Sequence, residues 1–134
     1  MWKVSGEGTT LWAVRGGGSR NERAYAVAMD RTNAVVAVGH SDSDTATFGG
    51  VVLTNNDVSS NVGDAVVWKM SADGTTLWAV RGGGTRADYV IALATDSANA
   101  VVVAGHFYSL SATFGEVALN KAGSTSYSDA YILQ

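Results

Sequence analysis

Neither cysteine nor proline occurs among the 134 residues. Without cysteine there is no disulfide framework and no thiolate metal site, and nothing marks a redox compartment. Without proline, the special turn geometry falls to the 16 glycines and to asparagine. Long apolar runs are missing too. None approaches the ~20 residues that span a bilayer, and no charged start followed by an apolar core marks a signal peptide. Basic charge is scarce: nine Lys and Arg against 12 Asp and Glu leave a net charge of −3 and a pI near 5.1. That disfavours nucleic acid, whose binding rests on neutralising phosphates. What remains is 46% hydrophobic and 16% charged, the composition of a folded globular chain. Its length is that of a single domain spanning residues 1–134.

Most of the chain is written twice. WKVSGEGTTLWAVRGGGSR, from Trp2, returns as WKMSADGTTLWAVRGGGTR, from Trp68. AYAVAMDRTNAVVAVGH returns as VIALATDSANAVVVAGH, TATFGGVVL as SATFGEVAL, and GDAVV as SDAYI after a one-residue slip. The period is about 66 residues, which divides the chain into repeats at about 2–67 and 68–134.

Each repeat carries four strand candidates, read from apolar, β-branched or alternating runs bounded by Gly, Asp and Asn. They cover residues 24–30, 34–40, 64–71 and 9–15, with counterparts at 90–96, 100–106, 129 onward and 75–81. Asp30-Arg31-Thr32-Asn33 and Asp96-Ser97-Ala98-Asn99 read as hairpin turns, with aspartate accepting backbone N–H groups and asparagine taking positive φ. Ser5-Gly6-Glu7-Gly8 and Ser71-Ala72-Asp73-Gly74 read as turns whose last glycine is left-handed. If Ser71 faces Thr75, Trp68 faces Trp78 and Trp2 faces Trp12, as cross-strand aromatic pairs. The strands at 24–30 and 34–40 are apolar on both faces, as expected of inner strands between neighbouring sheets. The expected fold class is therefore all-β, built of four-stranded antiparallel blades repeated around an axis, a β-propeller with two repeats per chain.

The ordered set LWAVRGGG, an apolar strand ending in Asp, a turn with Asn, an apolar strand ending in Gly, TATFG or SATFG, and DAVVWKMSADG resembles the bacterial β-propeller repeat family named for seven blades. The resemblance covers nearly the whole chain. It implies a propeller, no single activity, and an extracellular or cell-surface setting. Two features depart from the family pattern: its chains carry many more blades, and an aromatic often stands where His40 and His106 stand here.

The chain opens and closes within the same strand type, so the repeats do not coincide with finished blades. This phase predicts that the hairpin at residues 2–15 of one chain completes the last blade of another by strand exchange. Trp2, Trp12, Asp129, Tyr131 and Leu133 would form the closure, and three or four chains would give six or eight blades. The expected partner is thus the chain itself, head to tail, with a glycan or protein ligand besides, and neither nucleic acid nor membrane.

The hairpin register sets Arg23 opposite His40 and Tyr89 opposite His106. Arg20, Glu22, Arg86 and Asp88 lie close in sequence to that end of the strands. A histidine, an arginine and a carboxylate per repeat would make a polar rim for an anion or a sugar, or else a set of solvated, internally paired strand ends. The glycine triplets at 16–18 and 82–84 lack the Lys-Ser/Thr and helix of a phosphate loop. Asp42-Ser43-Asp44-Thr45 lacks the later glycine and glutamate of a calcium loop. Two histidines make no zinc site alone. No nucleophile elbow, triad order or carboxylate pair is present. The expectation is a self-assembling scaffold that is not an enzyme and needs no cofactor or metal. A lectin-like module and an enzyme using the two histidines as bases are the alternatives.

Overall fold

A computed structural model describes residues 1–55, 62–124 and 126–134. Among them fourteen strands follow in order: β1 (Trp2–Val4), β2 (Thr10–Ala13), β3 (Gly16–Gly18), β4 (Glu22–Met29), β5 (Val35–Ser41), β6 (Thr45–Phe48) and β7 (Val51–Thr54), then β8 (Asp64–Met70), β9 (Thr76–Gly83), β10 (Asp88–Thr95), β11 (Val101–Phe107), β12 (Ser111–Phe114), β13 (Val117–Asn120) and β14 (Asp129–Leu133). They form a six-stranded sheet, β13-β12-β9-β8-β5-β4, two three-stranded sheets, β10-β11-β14 and β3-β6-β7, and the hairpin β1-β2.

The turns form for the reasons legible in the residues. Asp30 Oδ1 accepts the Thr32 and Ala34 N–H groups at 2.8 and 3.1 Å, and Asp96 Oδ1 accepts those of Ala98 and Ala100, both at 2.8 Å. Asn33 and Asn99 take φ of 62° and 66°, a conformation asparagine adopts more readily than most residues. Arg23 pairs with His40 and Tyr89 with His106, as the register predicts.

The core is organised by period-two alternation along β5 and β8. Val35, Val66, Trp68 and Met70 face one cluster, shared with Ala46, Phe48 and Ala79. Trp12 and Val14 from the first hairpin and Val51 and Leu53 from β7 pack against it. Val38 and Ala65 face the other way, into a cluster with Val90, Val103, Phe107, Ala112 and Tyr131. The central sheet is therefore covered on both faces. All seven residues of β5 are buried, as its apolar run predicts.

Several expectations are corrected. The sheets are open and uncurled, so they are not blades arranged in a ring. The six- or eight-bladed closure by strand exchange, and the self-assembling scaffold built on it, have no support in this architecture. The reason is visible at Gly82, which pairs with Ala65 on one side and Phe114 on the other. Through it the sheet passes from β9 to β12 and β13 and grows to six strands instead of stopping at four. A side chain at Gly82 would run into the Phe114 ring. The TATF-GG-VVL and SATF-GE-VAL segments, which lie outside the four strand candidates of each repeat, are hairpins, with Gly49 and Gly50 at φ 56° and 91° in the first. Strand β4 is not buried on both faces: Val27 and Met29 are 63% and 50% exposed. The tryptophans do not pair. A bulge between Lys69 and Met70 sets Trp68 opposite Ala79, and another between Lys3 and Val4 sets Trp2 opposite Ala13.

One sequence occurs in two forms. Residues 9–18 and 75–84 are both TTLWAVRGGG. The second copy is continuous as β9; the first is divided into β2 and β3.

Met70 is fully buried within the first cluster. Truncating such a side chain removes its contacts and leaves a cavity. Met70→Ala is expected to lower unfolding stability by about 2–5 kcal/mol in denaturant titration.

Candidate functional site

The ends of β4, β5, β10 and β11 bring together most of the rim residues named from sequence. Tyr89 of β10 stacks on His40 of β5, with ring centroids 4.4 Å apart, and on His106 of β11, at 5.0 Å. Tyr108 meets His106 edge-on at 5.8 Å. This aromatic column joins the two repeats. His40 is 3% exposed. Its Nδ1 stands 3.3 Å from Asp42 Oδ1, and among the described residues neither ring nitrogen makes a hydrogen bond of good geometry. Burial holds the imidazole below its ordinary value, against the upward pull of the Asp42 carboxylate, the Gly63 backbone and, least, Asp88, and with a smaller downward push from Arg23.

The carboxylates beside the column are already engaged. Asp88 is fully buried. It accepts the Gly84 N–H at 2.7 Å, the Ser109 hydroxyl at 2.7 Å, and the Tyr108 and Ser109 N–H groups at 3.0 and 3.2 Å. Glu22, its counterpart, accepts the Gly18 N–H at 3.0 Å and the Ser41 hydroxyl at 3.1 Å. Both acids tie the glycine triplet to the strand that follows. Arg20 pairs with Asp44 at 2.8 Å, not with Glu22. Both side chains are part-exposed, and such a pair contributes ~0–1 kcal/mol. Arg86 is exposed and enters this region through its backbone N–H, which donates to Ser109 Oγ at 2.9 Å.

The residues named for inter-subunit closure are dispersed. Trp2 is 70% exposed, with its indole N–H on Thr10 Oγ1 at 3.0 Å. Trp12 donates to the Ala72 carbonyl at 2.9 Å. Asp129 accepts the Ala122 N–H at 2.9 Å. Tyr131 is buried and donates to the Tyr89 carbonyl at 2.9 Å, its phenol pushed far up by burial. Leu133 lines a groove of about 240 Å³ with Trp78, Val80, Phe114 and Val117.

Two ion pairs were not anticipated. Asp30, whose side chain is 1% exposed, holds Lys69 Nζ at 2.7 Å. The ammonium keeps the Asp30 carboxyl well below the usual range. Asp64 pairs with Arg81, whose guanidinium is lowered to about 10 by burial. The signal in the sequence is a charge set within an apolar strand, as in DAVVWKM: a buried charge requires a partner.

Among the described residues no three His, Cys, Asp or Glu side chains gather to hold a metal. No family model matches the chain, and no curated protein matches it. The likeness to the seven-bladed repeat family is therefore not upheld, and the open sheets argue against it independently.

His40 makes the column sensitive to acid. Its folded value lies below the unfolded one of about 6.5, so the neutral form is the one the fold favours. The corresponding stability is present above that unfolded value and is lost as pH falls through the lowered folded one. Melting temperatures measured between pH 7.5 and 5 are expected to fall more steeply for the native chain than for His40→Phe. Equal slopes would place the sensitivity elsewhere.

Proposed function

We propose that this all-β domain is a non-catalytic binding module that takes a protein partner by strand addition along β14. The observation that carries this reading is a contrast between equivalent strands. Strand β8 has a neighbour on each side, β5 and β9. Its counterpart in the second repeat, β14, has β11 on one side and no strand on the other among the described residues. An open strand side offers backbone donors and acceptors to an extended segment, and adjoining pockets supply selectivity. The groove beside β14 is lined by Trp78, Val80, Val117 and Leu133, and Val80 and Val117 are about half exposed. This chemistry suits an apolar, extended polypeptide.

The polar residues favour binding over catalysis. Asp88 and Glu22 spend their oxygens on backbone and hydroxyl donors, and among the described residues no hydroxyl hydrogen-bonds to a His40 ring nitrogen. The net charge of −3 disfavours nucleic acid as the partner.

The strand beside β8 supplies a probe. A labelled TTLWAVRGGG peptide is expected to bind the chain saturably in fluorescence anisotropy. Val80→Asp in the groove is expected to weaken it about tenfold or more, equivalent to ~1.4 kcal/mol. Val52→Asp on β7, where Val52 is exposed to a similar degree, is expected to leave it unchanged. Absence of saturable binding, or equal effects of the two substitutions, would defeat the reading.

A further inference from the structure

The two repeats pair their corresponding strands alike, but the first lacks a ring that the second has. Gly39 on β5 lies opposite Val66, and its counterpart Gly105 on β11 lies opposite Tyr131. Val66 therefore stands where the second repeat places a tyrosine. Two neighbouring positions are smaller as well: Ala24 and Ala37 occur where Val90 and Val103 occur one period on. At this point the first repeat holds a cavity of about 220 Å³. Gly39, Val66, Phe48 and Trp68 line it, together with Arg15 and Ala24, which are exposed. None of its lining residues belongs to β14.

The second repeat shows what such a place accepts. The Tyr131 ring is buried, its centre lies 4.5 Å from that of Phe114, and its hydroxyl donates to the Tyr89 carbonyl at 2.9 Å. Both contacts have counterparts in the first repeat. Phe48 corresponds to Phe114, and a side chain at Gly16 would run into its ring as one at Gly82 would run into that of Phe114. Arg23, opposite His40, corresponds to Tyr89, opposite His106. Their carbonyls are placed alike, for a Cβ added at Gly39 would run into the Arg23 oxygen and one added at Gly105 into the Tyr89 oxygen. Beside Gly105 the Tyr131 hydroxyl comes within 2.9 Å of that point; beside Gly39 no side chain comes as near. Phe48 instead meets Trp68 edge-on, with ring centres 5.4 Å apart. Trp68 stands in the place of Leu133; it takes up part of the space and gives the cavity a second aromatic wall.

We propose that this cavity is a binding site for a small monocyclic phenol, held as the Tyr131 side chain is held in the second repeat. The ring of the ligand lies against Phe48 and Trp68, and its hydroxyl donates to the Arg23 carbonyl. The space suffices, since an apolar cavity of about 150 Å³ takes up benzene. Aromatic walls favour a ring in offset or edge-on contact. A backbone acceptor set in a largely apolar pocket fixes orientation and selects a ligand that brings a donor. A ring without a hydroxyl would strip water from the carbonyl and return no hydrogen bond. The site is separate from strand addition at β14 and does not depend on it.

p-Cresol, which is the tyrosine side chain without its backbone, is the probe. Titrated into the full chain and followed by amide nitrogen–proton correlation NMR, it is expected to give saturable shifts centred on Arg23, Gly39 and Phe48. Toluene, which lacks the hydroxyl, is expected to bind at least tenfold more weakly. Val66→Tyr ties a phenol to the chain at this place, and is expected to raise the melting temperature and abolish p-cresol binding. Ala24→Phe, at an exposed position on the cavity wall, blocks the site without demanding a change in the core, and is expected to weaken binding at least tenfold. Thermal melts establish that each variant is folded. Absence of saturable shifts at these residues in the native chain overturns the proposal, as does undiminished binding in a folded variant of either kind. Toluene binding as tightly as p-cresol overturns it too, because the hydroxyl would then contribute nothing.

Discussion

The buried ribbon of β5 and β8 is the constraint on which the rest of the chain depends. These strands are covered on both faces, so their side chains must alternate between two apolar clusters, and any charge on them must be matched inside the protein. Asp64 and Lys69 sit on β8 and cannot reach bulk water freely. Arg81 answers the first from β9, and Asp30 answers the second from the β4–β5 turn. Removing one member of a buried pair is more damaging than never having had the pair, because an uncompensated charge stays behind. The apolar ribbon thus dictates where the polar residues of two neighbouring segments must stand.

Much of the local structure was legible in the residues. The Asp-x-x-Asn turns, the left-handed asparagines and the register of Arg23 with His40 follow from short-range chemistry that does not depend on distant contacts. The repeat was legible as well, since it needs only comparison of the chain with itself. Other features depended on tertiary context. The bulges at Lys69 and Lys3 move each tryptophan one position along its partner, and nothing local announces them. The TATF-GG-VVL hairpin carries a local signal, alternation around a two-glycine turn, but its strands are only four residues long each. The step from paired strands to a closed ring was not legible at all, because curvature is set by how sheets pack.

The candidate site divides along the same line. Register alone brought both histidines to one end of the strands. It did not place Tyr89 between repeats, where it stacks on both of them. Nor did it reveal that Asp88 and Glu22 are consumed in holding the glycine triplets. Residue types that suit a ligand also suit a tight loop, and only the positions of nearby backbone donors separate the two uses.

The decapeptide TTLWAVRGGG occurs twice in one molecule, which makes the chain its own control. Where β8 runs beside it, the ten residues hold a single strand. Where only the three residues of β1 do, the same ten break into two pieces. The ten residues are identical, so the difference between the copies lies in what surrounds them. Strand continuity here is a property conferred from the side, and a segment read in isolation has no definite secondary structure to predict.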